Sequence, residues 1–332
     1  MALFKNLSSS ALALLAIVVC FTGGRLYAGG ASAGPLEEPP AWAFVWDPSV
    51  QVPAPSETPV ALPGSSASFS WKQARDLFAA LDWHPDAHPA MPEIVANGRK
   101  PEIRACGSCH RVEGTGGPEN ASLAGLPVAY FVQQIAAFKS GARRMSGAER
   151  PSTQGMLASA KGLTDDDIKA AADYFAKLPR KPVIKIVEGD MIPKTGPSRL
   201  FYVKSPDGGT ETLGQRIVEM PDDVNRFELR DSRATFTAYV PVGSVARGEA
   251  LATTGGAGAT NACRSCHGEG LKGLGDVPPI AGRSPTYIVR QLWEFQHGHR
   301  SGGASALMQQ TVEKLSQKDM IDLAAYLGSL DP

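Results

Sequence analysis

Two stretches decide how this chain is read: Cys106-Gly107-Ser108-Cys109-His110 and Cys263-Arg264-Ser265-Cys266-His267. Both spell C-x-x-C-H, the attachment signature of c-type haem. The spacing has a chemical reason. Two thiols three residues apart, on about one helical turn, can add to the two vinyl groups along one haem edge. The His that follows then sits under the iron and offers an imidazole nitrogen. At this chain's own Cys and His frequencies, one such match arises by chance roughly once in a thousand chains. Two rivals compete. A thioredoxin-like C-x-x-C would not require His at the fifth place twice, and no βαβ pattern surrounds either stretch. A zinc site pairing the two motifs would use four cysteines and leave both histidines idle. The haem reading assigns Cys106, Cys109, Cys263 and Cys266 to two covalently bound haem c groups, with His110 and His267 on the irons.

The chain repeats itself around these motifs. At an offset of 157, Cys106, Cys109 and His110 align with Cys263, Cys266 and His267. Ala124-Gly125, Tyr130, Gln134, Phe138, Gly141 and Arg143 align with Ala281-Gly282, Tyr287, Gln291, Phe295, Gly298 and Arg300. Further on the offset becomes 152, and Met156, Leu163, Ala172, Tyr174 and Leu178 align with Met308, Leu315, Ala324, Tyr326 and Leu330. The register selects a sixth ligand. A methionine thioether is the soft ligand of electron-transfer cytochromes, and it raises the potential. Met156 and Met308 alone keep register in both copies, whereas Met145 faces Gly302. The bland alternative is a core methionine lining the pocket. His297 and His299 compete at the second site, and His84 and His88, in a Pro-rich stretch, compete for a haem edge.

Local patterns predict small helical domains. Thr164-x-x-Asp167 and Ser316-x-x-Asp319 read as capping boxes with Asp in the third place, each opening a helix. Tyr130–Phe138 and Tyr287–Phe295 read as amphipathic helices.

Composition sets the outer bounds. The chain has 332 residues, with 33 Lys plus Arg against 33 Asp plus Glu. That balance excludes a strongly basic nucleic-acid binder and a polyacidic disordered chain. Apolar residues make up 43%, enough for real cores, while 35 Gly and 26 Pro demand many turns. Five cysteines is an odd number. Lys5 followed by the apolar run Ala11–Phe21 and small residues to Ala33 reads as a secretory signal cleaved near Ala28 or Ala33. The run is short of the ~20 residues that span a bilayer; an uncleaved anchor is the alternative. Cys20 leaves with the signal, so four cysteines remain, all committed to haem. The first haem segment, Gly98–Lys177, carries 11 basic against 8 acidic residues, and the second, Arg247–Pro332, carries 8 against 8. Arg143 and Arg144 read as a solvated face, with an acidic partner or a haem propionate as the sharper alternatives.

The chain resembles the dihaem class I c-type cytochromes of the cytochrome c4 and c553 kind. The resemblance rests on the two motifs, on Pro278-Pro279-Ile280-Ala281-Gly282 and Leu123-Ala124-Gly125, and on the aligned Tyr, Gln, Phe, Gly, Arg and Met residues. It covers roughly 92–180 and 245–332. It implies a mainly α fold of two tandem cytochrome c domains, His/Met-ligated haems and periplasmic electron carriage. It also implies that Pro278 offers a carbonyl to the ring of His267. Ala121 stands in the corresponding place of the first copy, and a backbone carbonyl serves there as well.

The chain is therefore expected to divide into a signal peptide (1–33), a Pro-rich extended arm with a short helix over Trp71–Leu81 (34–91), a first cytochrome c domain (92–180), a β-rich insert (181–246) and a second cytochrome c domain (247–332). Strands are predicted at Val183–Val187, Leu200–Val203 and Thr235–Val240, with a turn at Pro206–Gly209. The insert is expected to brace the two haem domains; partner docking is the alternative. Three functions differ in class. A carrier has both irons saturated and passes single electrons between redox proteins: a donor dehydrogenase and an acceptor oxidase or cytochrome. A subunit of a dehydrogenase or oxidase complex, with membrane-complex association, is the second. A dihaem peroxidase-type enzyme is the third, and it needs one iron that can open. Thiosulfate chemistry on the iron would call for a cysteine ligand, and no cysteine is left over. The expectation is an electron-transfer protein rather than an enzyme.

Overall fold

The computed structural model describes residues 38–52, 54–147 and 150–332. The signal-peptide reading lies outside the described residues. The described residues belong to one compact unit, Glu38–Pro332.

The segment before the first motif is folded rather than extended. Strands β1 (Pro59–Ala61) and β2 (Ser68–Ser70) pair antiparallel with Val60 opposite Phe69. Helix α1 (Trp71–Arg75) starts at a Ser70/Gln73 capping box. The helix expected to reach Leu81 ends at Arg75. Asp76 stops it: its Oδ1 accepts the Phe78 N–H at 3.0 Å, an Asx turn that competes with the helical pattern. Leu62, Ala74, Leu81 and Trp83 then bury together with Leu229 of the distant insert, and the Trp83 indole N–H donates to the Leu229 carbonyl at 2.7 Å. The Pro-rich stretch contributes turns; its aromatic residues supply the core that holds it down.

Around the first motif run α2 (Glu93–Ala96), α3 (Cys106–His110), α4 (Val128–Ser140), α5 (Pro151–Gly162) and α6 (Asp165–Ala176). The Thr164/Asp167 box is present as read, and three aspartates in the first turn of α6 complement the positive end of the helix dipole. Its buried face, Ile168, Ala171, Ala172 and Phe175, meets Phe131, Ile135 and Phe138 of α4. Phe131 and Phe175 stack at 6.2 Å between centroids.

The insert holds β3 (Ile184–Glu188), β4 (Met191–Pro193), β5 (Thr195–Ser198), β6 (Phe201–Lys204), β7 (Thr210–Thr212), β8 (Val218–Pro221), α7 (Val224–Glu228) and β9 (Phe236–Val240). The order β3-β9-β8 forms a sheet in which β3 and β9 are parallel and β8 is antiparallel to β9. β4 pairs with β7 and β5 with β6. The three predicted strands appear as β3, β6 and β9. The others are three or four residues long and carry Gly or Pro in part, which hides them from a period-two reading.

The second haem segment comprises α8 (Ser244–Thr254), α9 (Arg264–His267), α10 (Pro285–Gln296), α11 (Ser305–Val312) and α12 (Gln317–Ser329). The Ser316/Asp319 box opens α12 as read. α8 and α12 cross in contact, and Gly248 permits it: a Cβ there would sit 1.9 Å from the Asp322 carbonyl oxygen. The core of this half also takes in Ala43 and Phe44 from the start of the described chain and Ala238 and Val240 from β9. The architecture is thus mixed, mainly helical with a small β element between the two helical sets. Among the described residues no helix is long and apolar enough to cross a membrane.

Candidate functional site

Both motifs lie on short helices. α3 starts after Ala105, whose N–H donates to the Leu77 carbonyl at 3.0 Å. The Ser108 hydroxyl donates to the same carbonyl at 2.7 Å. Cys106 and Cys109 therefore stand one turn apart. In the second motif Cys263 caps α9, with Cys266 one turn on. None of the four sulfurs is in a disulfide.

The two histidines are held identically. His110 Nδ1 lies 2.7 Å from the Ala121 carbonyl, and His267 Nδ1 lies 2.7 Å from the Pro278 carbonyl. In each case the chain leaves the helix and returns an acceptor to the ring from the residue eleven positions on. A neutral imidazole with Nδ1–H engaged keeps the Nε2 lone pair for a metal. Burial lowers the pKa of both rings, which favours that neutral form. The expectation that an Ala carbonyl can replace a Pro carbonyl is met in the geometry. Two sulfurs and one neutral imidazole per site are the donors a covalently attached haem takes.

Met156 on α5 is half-buried against the core that Cys106 also touches, and Met308 on α11 packs on the core that Cys263 touches. Met145 packs on the first core as well. The competing histidines are engaged elsewhere. His84 Nε2 is 3.0 Å from Asp231 Oδ1. His88 meets Asp82, the Pro89 carbonyl and the Tyr174 hydroxyl. The His297 ring stacks on Trp293 at 3.8 Å, and His299 Nδ1 is 2.8 Å from both Glu294 Oε2 and Ser146 Oγ.

One expectation is corrected. Arg143 does not belong to a solvated face: it is 7% exposed, while Arg144 beside it is exposed. Its guanidinium donates to Gln134 Oε1 at 2.8 Å, to Gln291 Oε1 at 3.0 Å and to the Tyr287 hydroxyl at 3.3 Å. Arg300 does the reciprocal, donating to Gln291, Gln134 and the Tyr130 hydroxyl. All six residues align in the sequence; the missed signal is that matched polar residues inside a helical repeat need a common buried partner. Among the described residues, the buried N–H groups without an acceptor include Arg143 Nε, Arg300 Nε and Arg283 Nη2. Such donors suit the carboxylates a haem carries.

The insert bears on both halves. Arg111 follows His110 directly, with φ +69. Its guanidinium donates to the Phe227 carbonyl at 3.1 Å and lies 4.9 Å from that ring's centroid. Glu113 N–H donates to Ser232 Oγ. On the other side Glu219 of β8 accepts from Ser284 Oγ at 2.7 Å, Thr286 Oγ1 at 2.7 Å and Thr286 N–H at 3.1 Å, capping the start of α10. The bracing role fits these contacts, and no motif singles out any of these residues.

Comparison with known proteins agrees with the geometry. Residues 95–179 match the family model described as Cytochrome c. Residues 250–327 match that of Cytochrome C oxidase, cbb3-type, subunit III. The chain is 38% identical to cytochrome c-554(548) of Halomonas halodenitrificans over 20% of this chain and 82% of that protein. It is 26% identical to the thiosulfate dehydrogenase electron acceptor of Thiomonas intermedia over 69% of this chain and 80% of that one. It is 29% identical to cytochrome c4 of Stutzerimonas stutzeri over 38% of this chain and 66% of that one. Each C-x-x-C-H stretch falls inside one of the two matched segments, and the chain belongs to the dihaem c-type cytochromes, which carry covalently bound haem c.

Proposed function

We propose that this cytochrome is a periplasmic electron carrier, exported by the segment 1–33, that moves single electrons between redox proteins. Cys106 and Cys109 hold one haem and Cys263 and Cys266 the other; His110 with Met156, and His267 with Met308, ligate the irons. The haem supplies an iron that gains and loses one electron. The protein supplies fixed imidazoles, soft sulfur ligands that favour the reduced iron, and a buried polar bridge between the halves. The domains are 92–180 and 247–332, joined by the insert 181–246 and preceded by the segment 34–91. The carrying observation is the pair of Nδ1–carbonyl bonds at 2.7 Å, which orient both proximal rings alike.

Were both irons saturated by His and Met as proposed, no position would be open to substrate, which favours a carrier over a peroxidase-type enzyme. A second reading, as the acceptor subunit working with a dehydrogenase of a reduced sulfur anion such as thiosulfate, draws on two relatives so named. They match 69% and 79% of this chain. The test is optical and potentiometric. Wild type shows the far-red thioether–iron band, and Met156→Ala and Met308→Ala each remove part of it and lower the potential of one haem. Unchanged potentials in both variants overturn the ligand assignment. High-spin iron in wild type, or capture of cyanide at low concentration, overturns the carrier reading.

A further inference from the structure

The aligned halves treat the outer face of their haem motifs in opposite ways. In the first half that face is covered by the chain itself. Ser108 is buried and donates to Leu77, and a Cβ on Gly107 would meet Ala80 Cβ at 2.9 Å. Arg111 is 1% exposed beneath Phe227, Thr115 donates to the Ser232 carbonyl, and a Cβ on Gly117 would lie 3.0 Å from the Phe227 ring. In the second half His267 and Gly268 are buried, but the residues aligned with Gly107, Ser108, Cys109 and Thr115 are open. Arg264, Ser265 and Cys266 are exposed where Gly107, Ser108 and Cys109 are covered or half-covered. Gly268 stands where Arg111 grips the insert, and exposed Lys272 where Thr115 is buried.

Two substitutions give the open face its chemistry. Leu274 is 61% exposed and aligns with buried Gly117; Leu307 is 65% exposed and aligns with buried Gly155. Leu274 lies beside Gly268, one residue past His267. Leu307 immediately precedes Met308. The flanking runs Ala250–Cys263 and Ser301–Thr311 contain no charged residue, and Arg264, Glu269, Lys272 and Asp276 cancel. Single exposed apolar residues are ordinary on a protein surface; here two of them flank one haem motif, one beside Gly268 and one just before Met308, where the first half has buried glycines.

From this asymmetry we propose that the face around Cys266, Leu274 and Leu307 is the single port through which the protein exchanges electrons with other proteins. The first haem would then be served through the second, because residues 77–80 and the insert cover Gly107, Ser108 and Arg111 on its motif side. The port takes a redox protein whose own metal centre is ringed by uncharged apolar side chains, since a neutral face offers nothing to a charged one. The port rests on the proposed haem ligation.

The test follows stopped-flow oxidation of the fully reduced holoprotein by a blue copper protein whose copper lies under an apolar patch. Two phases are expected: one proportional to copper-protein concentration, and one independent of it as the first haem empties through the second. The bimolecular rate changes by about twofold or less between about 0.01 M and 1 M salt, over which the Debye length falls from about 30 to about 3 Å. Leu274→Glu and Leu307→Glu each slow it by about tenfold or more, with the far-red band unchanged. Two phases that both scale with partner concentration overturn the single port. Wild-type rates in both glutamate variants, or a steep salt dependence, overturn the apolar docking. Failure of the haem ligation shows separately, in the wild-type spectrum before any partner is added.

Discussion

Arg143 and Arg300 face each other in an antiparallel backbone bridge, and each guanidinium reaches the glutamine of both halves. Each glutamine Oε1 thus accepts from two arginines. The arrangement has near two-fold character: the same residue from each half plays the same role toward the other. It ties the two haem segments through buried charge-assisted hydrogen bonds, which are the strong kind.

Redundancy of donors predicts a particular non-additivity. Arg143→Ala or Arg300→Ala alone leaves each glutamine carbonyl one donor and costs about 1.5–3 kcal/mol, the range for hydrogen bonds to charged groups. The double variant strands both buried carbonyls and costs more than the sum, because residues of one network do not add. Denaturant unfolding of the four holoproteins measures this. A double variant no worse than the sum of the singles refutes shared acceptance.

Legibility in the sequence follows periodicity. The motifs, the two capping boxes and helices α4, α6, α10 and α12 are readable because local patterns encode them and the repeat shows each one twice. Arg143 escapes such a reading because burial by a residue 157 positions away leaves no local trace. The segment before residue 92 escapes it for a related reason. Its prolines dominate the composition, but Trp83, docked on Leu229, determines where it lies. The insert's contacts with both halves pair residues far apart in the chain without a spacing rule. Arg111 is the sharpest case. The second half has Gly268 at the aligned position, where φ is +78, whereas the first keeps φ +69 with an arginine held by Phe227. A non-Gly residue in such backbone is retained only when its surroundings over-determine it.

The clamp between the leading segment and the insert centres on Asp231. The carboxylate is fully buried, with Oδ1 beside His84 Nε2 and accepting the Arg233 N–H, and Oδ2 bonded to Arg226. Removing one partner of a buried pair leaves the others uncompensated, a loss of about 3–5 kcal/mol. Asp231→Ala should therefore lower the unfolding midpoint severely, while both haem spectra in the surviving folded protein stay as in wild type. A loss under about 1 kcal/mol, on the order of a surface ion pair, refutes the clamp.

The proximal contacts predict an insensitivity. The acceptor for His267 is the carbonyl of residue 278, as the Ala121 carbonyl is for His110. Pro278→Ala keeps that oxygen, so the potential of the second haem should not move, although the loop gains conformational freedom when unfolded and the protein loses some stability. A lowered or raised potential with intact ligation means that the ring of Pro278, and not only its carbonyl, tunes the histidine.

Glu219 gives the pH dependence. It is buried at the junction of the insert and α10, and burial, outweighing its three hydrogen bonds and nearby Arg290, raises its pKa above the ordinary carboxyl range. The sign follows from linkage. A group that binds its proton more tightly when folded contributes stability that is complete below its unfolded pKa, about 4.3. That contribution is lost as pH rises through the higher folded value. Each unit of elevation is worth about 1.4 kcal/mol. Glu219→Gln keeps an oxygen to accept from Ser284 and Thr286 but never ionises. The melting temperature of the Gln variant relative to wild type should therefore climb as pH goes from about 4 to about 8. If the difference falls instead, the ionised carboxylate is the form that the fold favours, and Arg290, rather than burial, governs the site.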